Sequence, residues 1–588
     1  FWLKRLQHFR GLPRAVVGRR AADAPSTRLL ISTTITSEET PRAQAENSSN
    51  LDRRPMWSVT RPSRLTDVVV LYEAAAEASA PFVAEFLGTF FLVFTFGCCA
   101  MSCGAVWMPS AVGFVLVVTM YATGTVSGGY LNPALTLSMG LCRKIKWQVA
   151  IGYVLAQFAG ALLAGSTVSA SIGRHGPLGP RKDFHPLQVA AVEVLYTSMI
   201  CFVALSCTAS SVTSRKGDRK HFFALAVGFM AIAGGQATAD ISGAVFNPAV
   251  ALGMGFASSG LGCAPWFAFY TLFEALGAIA AVGLFAATRP QDAQLLFRQG
   301  SLPEDLGPRF DSELEPLSGS CVSSTARRNS RLISEFLGTF VLVLTIGLSS
   351  RLTANVSNSW SLKPPPETPS LSDERCISAA WAGGAVLLAM VYSLGSVSGA
   401  HFNPAVTLAM VFSGRGSCTL ADGPFYAIVQ VLAGVLAGLA EHSLLRLAPE
   451  RHRLTLGPKQ GYGWTSVIVG ETCFTMALAL VMLCMTTVTS PQYSKAPSLR
   501  SFQSALAIGM SLAAGGLALE HISGGILNPA STLGTSMAGL VNFTPDLGLQ
   551  LQAITIYISC QLSGSLLATA VFVGMHPLEY QEDPLLVN

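Results

Sequence analysis

The chain has 588 residues, 51% of them hydrophobic and only 12% charged, with a net charge of +5. Soluble domains carry roughly twice that charged fraction, so a soluble globular fold is excluded, and so small a charge excess offers no footprint for nucleic acid. The nine histidines and thirteen cysteines form no metal-ligand spacing and no nucleophile–base pattern, which argues against an enzyme and predicts neither a metal nor a cofactor.

In chain order, residues 1–75 come first and read as a basic tail or a targeting segment. Up to Thr36 they carry Lys4, Arg5, Arg10, Arg14, Arg19, Arg20 and Arg28 against the single acid Asp23, a balance that disfavours a packed core. Apolar runs able to cross about 30 Å of hydrocarbon then recur. Examples are Pro81–Ala100, Val112–Gly128, Val189–Ser206, Phe267–Ala287 and Ile333–Ser349. They assign 76–288 and 331–574 to the lipid bilayer as two modules, joined by a hydrophilic linker, 289–330, and followed by a short tail, 575–588.

Within the modules one spacing occurs four times: a glycine, eighteen residues, then Asn-Pro-Ala. The copies run from Gly113 to Asn132-Pro133-Ala134, Gly228 to Asn247-Pro248-Ala249, Gly384 to Asn403-Pro404-Ala405, and Gly509 to Asn528-Pro529-Ala530. Each is preceded by a glutamate and a threonine four apart: Glu85/Thr89, Glu193/Thr197, Glu335/Thr339 and Glu471/Thr475. Each is followed by a span holding a polar and then a small residue: Gln157/Gly160, Glu274/Gly277, Gln430/Ala433 and Gln561/Gly564. A unit therefore contains three crossings. An odd number forces successive units into opposite orientation, the pattern of an inverted repeat. The expectation is an all-α membrane protein with twelve spans and four short helices, both termini on one face. Arg143-Lys144-Ile145-Lys146 and the Arg215–Lys220 cluster share that face, which makes it cytoplasmic by the positive-inside rule. The sequons at Asn355 and Asn542 fall on the opposite face.

Asparagine suits a helix cap and proline the first helical turn, so each triplet predicts a helix starting mid-membrane. Two inverted copies bring two helix N-termini together, each with about half a positive charge. Their meeting point repels cations, and the asparagine amides offer it donors. Glu85, Glu193, Glu335 and Glu471 are expected to brace the loops, because buried carboxylates need donors and irregular loops have free amides. Glu274 stands where the other units have glutamine, and protonated it would mimic the amide.

Ser398-Gly399-Ala400-His401-Phe402-Asn403-Pro404-Ala405-Val406-Thr407 resembles the first re-entrant loop of the aquaporin (major intrinsic protein) family. Glu335-Phe336-Leu337-Gly338-Thr339-Phe340 and Glu85-Phe86-Leu87-Gly88-Thr89-Phe90 resemble its first helix. The resemblance covers about 450 residues and implies two aquaporin-like modules in tandem. Each would have six transmembrane helices, two re-entrant half-helices and one pore. It also implies a selectivity filter outward of the asparagines, usually built with an aromatic and an arginine. Transferred on the glycine spacing, its positions are Val112, Gly235, Ala244 and Val250 in the first module and Gly383, Gly516, Gly525 and Ser531 in the second.

Neither set keeps an arginine or an aromatic. Without arginine the filter loses a charge and a forked donor. Glycine in place of a large group predicts a wider pore, unless Phe246, Phe402 or Tyr130 fills the gap. The expected function is passive flux of water and small neutral solutes such as glycerol, urea or ammonia. The alternative is a poorly conducting structural or adhesion protein of the same fold. Because the family assembles four pores around one axis, two chains are expected to form a homodimer, a pseudo-tetramer of pores. Arg327-Arg328-Asn329-Ser330 has the form of a kinase site.

Overall fold

The computed structural model describes residues 64–102, 107–171, 176–181, 184–208, 222–298, 324–351, 371–415, 418–445, 456–488, 497–541 and 547–580. The chain divides after Asp67, and both membrane modules belong to the unit from Val68 onward. The described residues form helices without strands. The first module comprises α1 (Arg64–Ser102), α2 (Trp107–Thr123), α3 (Pro133–Leu141), α4 (Trp147–Ser171), α5 (Pro186–Thr208), α6 (Phe223–Ser242), α7 (Pro248–Ser259) and α8 (Ala264–Thr288). A short helix, α9 (Pro290–Arg298), leads into the linker. The second module repeats the order: α10 (Ser324–Arg351), α11 (Leu371–Ser398), α12 (Pro404–Phe412), α13 (Gly423–Leu445), α14 (Trp464–Thr487), α15 (Pro497–Leu519), α16 (Pro529–Val541) and α17 (Leu547–Met575).

Among the described residues the two modules hold twelve long helices and four short ones, with α9 between them. Among the described residues ten helical stretches are long and apolar enough to cross a membrane; Trp107–Thr123 and Gln503–Leu519 are shorter apolar helices that complete the set. The short helices α3, α7, α12 and α16 begin at the proline of each Asn-Pro-Ala triplet.

The four glycines of the repeat are paired crossing points. A Cβ on Gly113 would stand 2.8 Å from the carbonyl oxygen of Gly228, and one on Gly228 would stand 2.9 Å from that of Gly113. These residues are where α2 and α6 touch backbone to backbone. Gly384 and Gly509 make the same crossing between α11 and α15, at 2.8 and 2.7 Å. The small residues after the central polar ones act alike: Gly160 lies against the Phe86 carbonyl, Gly277 against Val194, and Gly564 against Thr472. Small residues at crossings let membrane helices approach closely where no hydrophobic force drives them together.

The modules pack side by side, with α10 and α11 of the second against α5, α6 and α8 of the first. Gln188 Nε2 donates to the Leu444 carbonyl at one end of this interface, and Tyr196 and Thr345 share a hydroxyl hydrogen bond of 3.0 Å in its middle. At the other end Phe222 stacks on Tyr392, and Arg289 donates to the Ser393 carbonyl and to Ser396 Oγ. Arg289 opens the linker and also pairs with Asp292, so the linker starts bound to the second module.

Several segments differ from the sequence reading. Helix α1 starts at Arg64, inside the stretch read as tail, and α10 starts at Ser324, inside the stretch read as linker. Residues 1–63, the Arg215–Lys220 cluster and both sequons lie outside the described residues. After α17, the turn Pro577–Tyr580 returns to the second module: Tyr580 donates to the Ser413 carbonyl and Glu579 pairs with Arg415. Arg327-Arg328-Asn329-Ser330 lies within α10. Ser330 is only 6% exposed and donates to Ala326, while Arg328 pairs with Asp422 and lies over Phe425. A kinase would have to unwind that turn, so the tetrapeptide reads as an anchor of α10 on α13.

Replacing Gly384 by valine should destabilise the protein by about 1–3 kcal/mol, the cost of overpacking a filled crossing, because the new Cβ meets the Gly509 carbonyl at 2.8 Å. Gly283, whose Cβ would meet nothing within 4 Å, should accept alanine without loss. Thermal unfolding in detergent compares the two, and equal shifts would show that the crossing is not close-packed.

Candidate functional site

Each module contains one junction where two short helices meet. Asn132, Asn247 and Asn403 hold extended backbone, with φ between −153° and −155°, and cap α3, α7 and α12. In all four triplets the asparagine Oδ1 accepts from the amide two residues on: Ala134 at 2.8 Å and Ala249, Ala405 and Ala530 at 2.9 Å. The first helical residue is proline, which leaves no orphan NH.

The amide nitrogens join the two halves. Asn132 Nδ2 donates to the Phe246 carbonyl at 2.9 Å, and Asn247 Nδ2 donates to the Leu131 carbonyl at 3.0 Å. In the second module Asn403 donates to Leu527 and Asn528 to Phe402, both at 2.9 Å. One of the two N–H groups of each amide is thus spent on the opposite loop, and the other remains for whatever occupies the junction.

The residues that receive these bonds are in an unusual conformation. Leu131, Phe246, Phe402 and Leu527 have φ of 50–53°, the left-handed region that costs a large L-residue about 1–2 kcal/mol. Both backbone groups of each are held. The opposite asparagine takes the carbonyl, and a glutamate takes the amide: Leu131 to Glu85 (2.7 Å), Phe246 to Glu193 (2.8 Å), Phe402 to Glu335 (2.8 Å) and Leu527 to Glu471 (2.9 Å). Their side chains occupy gaps opposite glycine. A Cβ on Gly88 would lie 2.4 Å from Leu131 Cδ2, and one on Gly338 2.1 Å from Phe402 Cε1. In Glu-Phe-Leu-Gly, therefore, the glutamate holds the loop residue's amide and the glycine three positions on admits its side chain.

The four glutamates are fully buried, and each meets several hydrogen-bond donors. Glu335 accepts from Ser398 Oγ (2.6 Å), the His401 and Phe402 amides and Gln430 Nε2 (2.8 Å). Glu85 and Glu471 repeat this set with Ser127 and Gln157, and with Ser523 and Gln561. The serine escaped the sequence reading, although Ser-Gly stands five residues before every asparagine, at Ser127, Ser242, Ser398 and Ser523. The glutamine also bonds a threonine of the short helix: Thr136, Thr407 or Thr532.

The fourth corner is different. Glu274 replaces the glutamine and Ala251 the threonine. Gly277, one turn on, packs α8 against Val194 and Thr197 of α5, the same crossing that sets Gln157 across from Glu85. Both oxygens of Glu274 are buried without a hydrogen bond among the described residues, although the Asn247 backbone lies near.

Each junction opens into a cavity. The first, about 660 Å³ with the open space at its mouth included, is lined by Asn132 and Asn247 and by all four transferred positions, Val112, Gly235, Ala244 and Val250. Phe96, Met108, Pro109, Tyr130 and Phe246 also line it. The second, about 370 Å³, contains Asn403, Asn528, His401 and Ser531 within an apolar ring that includes Leu342, Ile346, Leu387, Met482 and Leu512. Gly383, Gly516, Gly525 and Phe402 do not line it. The glycines do not simply widen either passage. Gly235 faces the Pro109 Cβ (2.6 Å from an added Cβ), Gly383 faces Ile346 (3.1 Å), and Gly516 faces Ala380 (2.8 Å). Neighbouring side chains occupy the space beside these glycines.

Glu335→Gln turns an acceptor oxygen into a donor facing other donors and should destabilise the protein by about 1–3 kcal/mol. Glu274→Gln combined with Ala251→Thr supplies the missing amide and hydroxyl and should stabilise it. Thermal unfolding at neutral pH reads both, and a fall for the double variant would show that Glu274 already has its partners.

The sequence matches the major intrinsic protein family over residues 74–270, 180–305, 322–538 and 486–584. It is 33% identical over 192 residues to Aquaporin NIP1-1 of Oryza sativa subsp. japonica, covering 30% of this chain and 64% of the rice protein, less than two thirds of its length. It is 32% identical over 212 residues to Glycerol uptake facilitator protein-like 6 of Lactiplantibacillus plantarum, covering 34% of this chain and 94% of that protein. The solved aquaglyceroporin of Plasmodium falciparum aligns with 42% of this chain and 97% of its own at 18% identity, with a TM-score of 0.34. With all four repeat units inside the matched ranges, the chain belongs to the major intrinsic protein family.

Proposed function

We propose that the chain is a passive membrane channel for water and small neutral solutes, and that its first pore carries most of the solute. One observation supports this above the rest: two asparagine-capped helix ends meet in a 660 Å³ cavity with no charged residue in its lining. Converging helix N-termini oppose cations, and each asparagine keeps one free N–H for a hydroxyl or a water. Val112, Gly235, Ala244 and Val250 form the first selectivity filter in this reading, its size set by Pro109 and its neighbours. The bacterial relative's name, a glycerol uptake facilitator, agrees with a polyol permeant.

The second pore favours the poorly conducting reading. Its cavity is little more than half as large, and Ile346 stands over the Gly383 position. The polar residues in its lining are Asn403, Asn528, His401 and Ser531.

In this proposal both termini face the cytoplasm and the chain acts as a homodimer. The contact between modules is head-to-tail, which leaves α1 and α2 of the first and α14 and α15 of the second for another copy; such an interface closes into a ring. On those helices Trp107 is 59% exposed and Leu517 is 43% exposed.

Proteoliposomes test the channel. Val250→Phe should lower glycerol flux about tenfold, a barrier rise of about 1.4 kcal/mol, while Ser531→Phe should leave most of it. Equal losses would contradict the division of labour, and no glycerol or urea uptake by the unmodified chain would sink the solute reading. Light scattering in detergent should give the mass of two chains, and Trp107→Arg with Leu517→Arg should give one.

A further inference from the structure

The first pore is held from outside its own module. Pro109 on α2 and Gly235 on α6 face each other in its lining, and an added Cβ on Gly235 would stand 2.6 Å from the Pro109 Cβ. The helices have no slack there, so a small shift of either one changes the opening. The next residue on each helix, Ser110 and Gln236, reaches toward the second module. Trp381 Nε1 of α11 donates to Ser110 Oγ at 3.1 Å, and Ser378 Oγ of α11 donates to Gln236 Oε1 at 2.7 Å. The Trp381 ring also packs on Phe229 of α6, with centroids 5.9 Å apart. One turn of the second module thus grips α2 and α6 together, beside their pore-lining pair.

These bonds are directional and shielded. Ser110, Gln236 and Ser378 are all buried, and a polar side chain in an apolar layer keeps the partner it has because replacements are scarce. The grip is also one-sided. By the glycine spacing, Ser378 corresponds to Trp107 and Gln236 to Leu517, a pair that forms no such bond.

We propose that Ser378 and Trp381 are positioning residues for the first pore: they hold the Pro109–Gly235 spacing and so set the size of neutral solute that it admits. The proposal rests on the channel reading given above. It is tested in the full chain carrying Ser531→Phe, so that flux reports the first pore, with water and glycerol permeabilities measured on the same proteoliposomes. Trp381→Phe keeps the ring and removes the N–H; Ser378→Ala removes the hydroxyl. Each should change the glycerol-to-water permeability ratio about threefold or more, whereas Ser378→Thr, which keeps a hydroxyl, should preserve it. A ratio unchanged in both loss variants, or two permeabilities that fall in proportion, overturns the proposal and leaves these residues as interface packing. If the Ser531→Phe chain passes neither water nor glycerol, the channel reading of the first pore fails, and the positioning role fails with it.

Discussion

Everything at the centre of each module depends on four residues kept in a conformation they disfavour. Leu131, Phe246, Phe402 and Leu527 sit in the left-handed region, and only clamping at both backbone groups keeps them there. The glutamate behind pulls on the amide, and the asparagine opposite pulls on the carbonyl. Neither clamp works alone. Without the glutamate, buried amides lose their acceptor; without the asparagine, the two short helices lose the bonds that join them. The loops are therefore reciprocal, each half of the module completing the other.

Close approach of the long helices makes this lock possible. Gly113 on Gly228 and Gly384 on Gly509 bring α2 to α6 and α11 to α15 at backbone contact. Gly88 and Gly338 then admit the side chains of Leu131 and Phe402. A channel with irregular backbone at membrane depth must satisfy every amide inside the protein, which leaves little tolerance for a displaced helix. The glycines fix the spacing and the glutamates use it.

Much of this was legible in the sequence, because spacing survives where packing does not. The Asn-Pro-Ala triplets gave the short helices, and the glutamates announced themselves as carboxylates inside apolar spans. Three things were hidden. The left-handed residues are ordinary leucines and phenylalanines, and nothing in their type signals a positive φ. The bracing serines were visible as a fourfold Ser-Gly, yet serine before a turn is too common to stand out. The transferred positions were found by counting, but counting could not show that Pro109, Ile346 and Ala380 fill the space behind the glycines. A missing side chain in a sequence is not a gap in a structure, because close packing draws neighbours inward.

With both modules on one chain, each can carry residues that its counterpart lacks. Separate identical subunits would have to present one self-consistent interface at every contact. Here the interface inside the chain carries Ser378, Trp381, Gln236 and Ser110, while the corresponding positions on the other faces carry Trp107 and Leu517. The same freedom reaches the loops, where Glu274 and Ala251 stand at one corner and glutamine and threonine at the other three. It reaches the cavities too, which are lined by different residues. Covalent linkage fixes which module neighbours which, so each interface and each pore can specialise without disturbing its counterpart. The two modules thus differ at the inter-module contact and in the pore lining, while the reciprocal lock between asparagine and loop carbonyl is the same in both.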